Sequence, residues 1–193
     1  MTLFVVPYRP FEGAADKNEH ILAACEAHPE RFTLPLTRDD IRLTVASYLT
    51  NPQHLVWEVW NDGTFCGIFM LSRIVPQSDA LWHFVFFDGD LMGKRSLLRN
   101  FLQDICFGQL GLQRVSVEVP ENVQTLIKFV RRYLGFTYEG ETALAKSEAA
   151  RRVSGGATWI TRQGSRRERA HLLDSTWHDV LLLRVLKEDI PCP

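Results

Sequence analysis

Apolar side chains recur along the chain at two spacings, every second residue and every third or fourth, and the switches between the two mark out the elements. Residues 3–8 read as a first strand, ended by Pro10. Residues 14–27 predict a helix with Ile21, Leu22 and Cys25 on one face and Pro29 just beyond its end. Thr37-Arg38-Asp39-Asp40 offers a hydroxyl cap followed three residues later by an acid, and Ile41, Val45, Tyr48 and Leu49 continue as one helical stripe. Two strands over 55–60 and 65–74 bracket Asn61-Asp62-Gly63, a hairpin turn signal. A further strand over 81–87 puts Leu81, His83, Val85 and Phe87 on one face. The helix predicted over 93–109 carries Leu97, Leu98, Phe101, Leu102 and Ile105 as its buried stripe, and Gly111 suits its end. Val115, Val117 and Val119 then alternate with Arg114, Ser116 and Glu118, the period of a strand with one buried face. Leu126, Ile127, Val130 and Leu134 return to helical spacing until Gly135, and residues 177–183 form a last apolar strand.

Composition narrows the class. A chain of 193 residues with 46% hydrophobic and 23% charged residues suits one domain with a real core. A net charge of −1 gives no overall attraction to nucleic acid or membrane surfaces. Cys25, Cys66, Cys106 and Cys192 show neither CxxC nor metal-ligand spacing, so they are expected as reduced thiols of a cytoplasmic protein with no metal site. Residues 1–7 lack the basic start and the length of a secretory leader, and no run approaches a membrane span.

The succession over 105–140 resembles the C-terminal half of the GNAT N-acetyltransferases, most of all the branch that acetylates protein N-terminal amines. Cys106-Phe107, Leu110-Gly111-Leu112, Arg114-Val115, Asn122, Leu134-Gly135-Phe136 and Glu139-Gly140 fill that branch's places in order, and the strand from Trp177 matches its W-x-D pattern. The match runs over about 56–188. It implies an α/β (α+β) fold: a mixed, mostly antiparallel sheet of six or seven strands flanked by helices, with two central parallel strands that splay. The helix over 93–109 would be the crossover joining those strands, and the two early helices would border the acceptor cleft. The expected activity is transfer of an acetyl group from acetyl-CoA to a primary amine, with a protein N-terminus as one acceptor.

The resemblance also assigns site residues. Coenzyme A would place its pyrophosphate over the turn 88–96, where Phe87, Gly89, Gly93, Lys94, Arg95 and Ser96 stand, with Asn122 in the turn after the next strand. The family's Arg/Gln-x-x-Gly-x-Gly/Ala run is replaced here by Asp88-Gly89-Asp90-Leu91-Met92-Gly93-Lys94-Arg95-Ser96, so Lys94 and Arg95 are expected to supply the anion attraction. Asp88 and Asp90 would then have to face away from the phosphates. Glu118 and His83 are the candidates for general base, and Thr125 stands where the N-terminal branch carries a Ser near the thiol. The tyrosine many relatives use as general acid would fall near Arg131 and is missing. His178 and Asp179, neighbours on one strand, point to opposite faces and cannot pair.

Residues 145–174 break the pattern. Lys146, Arg151, Arg152, Arg162, Arg166, Arg167 and Arg169 outnumber the acids, and the stretch is expected as an insertion lying outside the sheet. Two further function classes stand beside the enzyme: a GNAT fold without catalysis, serving as a binding or assembly component as in divergent tailed-phage proteins and suggested by the departure of the 88–96 turn from the family's glycine pattern, or a nucleic-acid contact through the arginine-rich insertion.

Overall fold

The computed structural model describes residues 3–9, 18–28, 41–88, 90–121, 123–138, 166–173 and 176–190, with the backbone alone over 166–180. Its elements run β1 (Leu3–Pro7), α1 (Glu19–Ala27), α2 (Ile41–Thr50), β2 (Leu55–Asn61), β3 (Thr64–Val75), β4 (Asp79–Phe86), α3 (Arg95–Asn100, continuing as a π-helical run over Phe101–Gln109), β5 (Arg114–Pro120), α4 (Gln124–Leu134), β6 (Thr137–Tyr138), β7 (Arg166–Leu173) and β8 (Thr176–Leu186). The sheet order is β1-β2-β3-β4-β5-β8-β6, with β7 also paired to β8. β6 and β7 share one edge of β8: β6 takes Leu183 and Arg184, and β7 takes the stretch from Thr176 to Leu181. Every pairing is antiparallel except that of β4 with β5. The expected mixed sheet with one parallel central pair, joined by the crossover through α3, is therefore the observed one.

Local chemistry accounts for the punctuation. The β2–β3 hairpin turns at Asp62 and Gly63, both with positive φ (47° and 80°), as a tight two-residue turn between right-twisted strands requires. α4 ends at Gly135 in the left-handed region (φ 77°), and the amide of Phe136 returns to Val130 O at 3.2 Å.

Helices cover both faces of the sheet. On one face α3, its π-helical continuation and α4 bury Phe69, Leu71, Trp82, Phe86, Val115, Val117 and Val119. On the other, α1 and α2 cover Val56, Ile68, Met70 and Val85 with Ile21, Leu22, Cys25, Ile41, Val45 and Leu49. Phe101 is the hub of the first layer: its ring lies 4.8 Å from Phe69 and 4.9 Å from Trp57, both edge-on, and stacks on Trp82 at 5.4 Å. The three described cysteines are free and buried. Burial pushes the Cys25 thiol up to about 12 and raises those of Cys66 and Cys106 as well, so all three stay protonated and inert. Among the described residues no helix is long and apolar enough to cross a membrane.

The sequence reading needs correction at residues 166–173. They are not an excursion outside the sheet: the backbone pairs antiparallel with β8 as strand β7. An edge strand requires no continuous apolar face, so its charged composition hid it. Residues 145–165, the cap at 37–40, Glu139-Gly140, Cys192 and the side chains of His178 and Asp179 lie outside what is described.

Candidate functional site

β4 and β5 are paired through three positions only, Asp79 with Arg114, Ala80 with Val115 and Leu81 with Ser116. An ion pair from Arg114 Nη2 to Asp79 Oδ2 at 2.5 Å fastens this end. Beyond it β4 continues to Phe86 and β5 to Pro120 without further pairing to each other, so the two strands splay, as the resemblance implies. The gap opens into a cavity of about 90 Å³ whose lining includes Val45, Tyr48 and Leu49 of α2, His83 and Trp82 of β4 and Glu118 of β5. Its walls are otherwise apolar, with Val56, Ile68, Met70, Val85 and Val119 among them.

His83 and Glu118, proposed separately from the sequence, thus line one cavity. His83 Nε2 lies 3.0 Å from Ser72 Oγ, a buried hydroxyl on β3. Desolvation pushes the His83 imidazole down to about 4, assisted by the neighbouring Arg73 and His54, so at neutral pH it is an uncharged ring. Glu118 accepts from Arg73 Nη1 at 3.4 Å. Arg73 sits at the irregularity between Ser72 and Val75, with φ 49°, and this bulge lets a β3 side chain reach across β4 to β5.

The depressed His83 value fixes a pH dependence. The unfolded chain binds a proton at His83 below the ordinary histidine range, whereas the folded chain does so only near 4. His83 therefore contributes stability above about pH 6.5 that fades as pH falls toward 4. Urea midpoints measured from pH 7 to 4 should fall for the wild type and fall less for His83→Gln; equal slopes would contradict this.

Trp82 escaped the sequence reading. Only 1% of it is exposed, yet its indole Nε1–H has no hydrogen-bond partner among the described residues, and Trp82 is one of the residues lining the cavity. A buried donor without an acceptor costs about 1–3 kcal/mol, so it stands ready for an acceptor that enters the gap.

The turn before α3 differs from expectation. Lys94, expected to supply anion attraction, is only 2% exposed; its Nζ pairs with Asp88 Oδ2 at 2.5 Å, donates to Asp90 O at 3.2 Å and lies over the Phe86 ring. Asp90 does not face away: its Oδ1 accepts from the Gly93 amide at 2.9 Å, the place an incoming anion would take. Arg95 and Ser96 are exposed, and Phe87 is half-buried beside the α1/α2 layer. Gly89 and Asn122 lie outside the described residues. Thr125 is not with His83 and Glu118; it lines a separate groove of about 380 Å³ with Leu91, Met92, Lys128, Phe129, Arg132 and Tyr133. Arg95 and Arg132 both reach the Tyr133 ring, at 5.9 and 5.5 Å, and Lys128 and Arg132 are exposed. The i, i+4 spacing of Lys128 and Arg132 on α4 was the signal that could have found them.

No family model and no curated protein sequence matches the chain. Solved structures do. A chimera of the spermidine N-acetyltransferase SpeG from Vibrio cholerae and hSSAT superposes with a TM-score of 0.63 at 13% identity over 96% of each chain. The Vibrio cholerae enzyme itself, solved with manganese, gives 0.60 at 13% over 96% of this chain and 93% of its own. A GNAT-family acetyltransferase from Streptococcus pneumoniae gives 0.59 at 14%, covering 96% of this chain and 99% of its own. The fold is therefore that of the GNAT acetyltransferases.

Coenzyme A, the cofactor that the resemblance implies, fits part of this site. The splayed strands, the orphaned Trp82 N–H and the cations beside the groove of Thr125 suit an acyl thioester with phosphates attached. The turn 88–96 as folded does not suit a pyrophosphate, because Asp90 holds the Gly93 amide and Lys94 faces inward.

Proposed function

We propose that this protein is an acetyl-CoA-dependent N-acetyltransferase of the GNAT type acting on a primary amine. The observation that carries the reading is the splay of β4 and β5 onto a cavity shared by His83 and Glu118. Acetyl-CoA when bound would supply an acetyl group activated as a thioester and would leave as the thiol, its sulfur reprotonated from water. Glu118 takes the proton of the acceptor amine, directly or through one water; neutral His83, held by Ser72, orients that amine; Trp82 donates its free N–H to an oxygen in the gap. Arg95, Lys128 and Arg132 hold the phosphates in place of Lys94. The apolar lining from Val45, Leu49, Ile68 and Met70 favours an amine with an apolar neighbour, such as a protein N-terminus, over a long polycation like the spermidine of the structural neighbours. The buried thiols are those of a protein kept in a reducing, cytoplasmic setting.

The test is calorimetric titration of acetyl-CoA into wild type, Lys94→Ala and the double variant Lys128→Ala/Arg132→Ala, followed by acetyl transfer to a panel of peptides and polyamines. Loss of both groove cations should weaken binding by roughly a hundredfold or more, each charged contact being worth about 1.5–3 kcal/mol. Lys94→Ala should act on stability first. If folded wild type binds no acetyl-CoA, the enzyme reading falls.

A second reading is favoured by one observation, the Asp90 carboxylate seated on the Gly93 amide. It makes the protein a non-catalytic GNAT-fold binding or assembly component, of the kind tailed phages encode. The same titration separates the two.

A further inference from the structure

At the far side of the sheet from the splay, β1, β2 and the start of α1 enclose a groove of about 660 Å³ lined by Phe4, Val6, Tyr8, His20, Glu58 and Trp60, with Pro7 and Arg9 completing its lining. On β1 and β2 the even-numbered residues share the face that α1 and α2 cover, but those helices reach only as far as Val56 and Tyr8. Phe4 and Val6 are left 41% exposed. At the floor of the groove stands Glu58, its side chain 17% exposed. Its carboxylate accepts from Trp60 Nε1–H at 2.9 Å, and His20 Nε2 lies 3.5 Å away. That His20 atom is itself buried and makes no hydrogen bond among the described residues. No Lys or Arg of the described residues lies within ion-pair distance of Glu58. The carboxylate also helps to raise the Tyr8 phenol, after burial.

A carboxylate largely removed from water, with the Trp60 indole as its described hydrogen-bond donor, is a costly arrangement, relieved by a cation. The walls supply what an organic cation needs and a metal ion does not: Trp60 and Tyr8 rings for the head group, and the bare Phe4 and Val6 side chains for an apolar body. The volume is that of a small-molecule pocket. We propose that this groove is a binding site for a small amphipathic organic cation, a primary ammonium or guanidinium with an aliphatic tail, its head on Glu58 and its tail over Phe4 and Val6. The site lies apart from the His83–Glu118 cavity and holds whether or not the chain transfers an acetyl group.

The probe is hexylamine, with hexanol as the uncharged match in size, added to the isotope-labelled full chain while the indole N–H signals of Trp60 and Trp82 are followed. Hexylamine should shift the Trp60 signal in a saturable way, and hexanol should not. Glu58→Gln keeps an acceptor for the indole and removes the charge; it should weaken binding about tenfold or more, and Glu58→Asp less. Equal shifts from hexanol and hexylamine would reduce the groove to an apolar patch and overturn the proposal. So would a Trp82 response with no Trp60 response, which places the amine in the splay alone. The comparison of the two probes on wild type decides the matter even if the Gln variant does not fold.

Discussion

Glu118→Gln should lower kcat for acetyl transfer by about a hundred- to ten-thousandfold, the range lost when a general base is removed, with the KM for acetyl-CoA little changed. Glu118 borders the splay from β5, with Arg73 at 3.4 Å as its described ion-pair partner, and it is the anionic side chain in the lining of the cavity. His83 is its rival. His83 Nε2 lies 3.0 Å from the buried Ser72 hydroxyl, which holds the ring in place to orient an amine. His83→Gln should therefore cost less in kcat, about tenfold, and show mainly in the KM of the amine, because it removes an orienting contact. The pH–rate profile separates the two roles: its acidic limb should vanish in Glu118→Gln and persist in His83→Gln. The reverse pattern would make His83 the base.

Phe101→Ala should cost about 3–5 kcal/mol, a large part of the roughly 5–15 kcal/mol that holds a domain together. The ring is 1% exposed and meets Trp57, Phe69 and Trp82 at centroid distances of 4.8 to 5.4 Å, so its removal leaves a hole bounded by three large side chains that cannot all close on it. A urea midpoint shifted down at unchanged slope is the expected result. Phe101→Leu should recover most of the loss. A cost below about 1 kcal/mol for the Ala variant would show that the aromatic layer repacks freely.

The order of the elements and the parallel central pair were legible because strand and helix periods alternate cleanly from residue 55 to 138. The pairing of His83 with Glu118 in one cavity followed from the same topology, which brings β4 and β5 side by side. Trp82 was not legible. A strand covered on both faces is apolar on both, so alternation carries no sign telling which side chain meets the gap. The stripe on the helix over 93–109 was right at Leu98, Phe101 and Leu102 and then slipped, since Cys106 and Phe107 are buried where Ile105 was expected. The π-helical run explains the slip: its bonds span five residues, and Phe101 with Cys106 and Leu102 with Phe107 are separated by five. Lys94 shows the limit of counting charges. Its partner Asp88 is six residues away around an irregular turn, a closure that no periodicity encodes.

The early parting of β4 from β5 gives this sheet a third border. The two outer borders are blunted in ordinary ways, by Pro7 on β1 and by the division of the far edge between short β6 and arginine-rich β7. The third runs down the middle of the molecule, walled by α2 on one side and α4 on the other through Val45, Leu49 and Leu126. Peptide groups that a sheet would normally spend on a neighbouring strand are there kept out of reach of other protein chains. A folded partner cannot approach them, and only something as slender as a single extended chain can. The molecule thus keeps these unpaired strand edges inside its own fold, away from the outer borders where aggregation is templated.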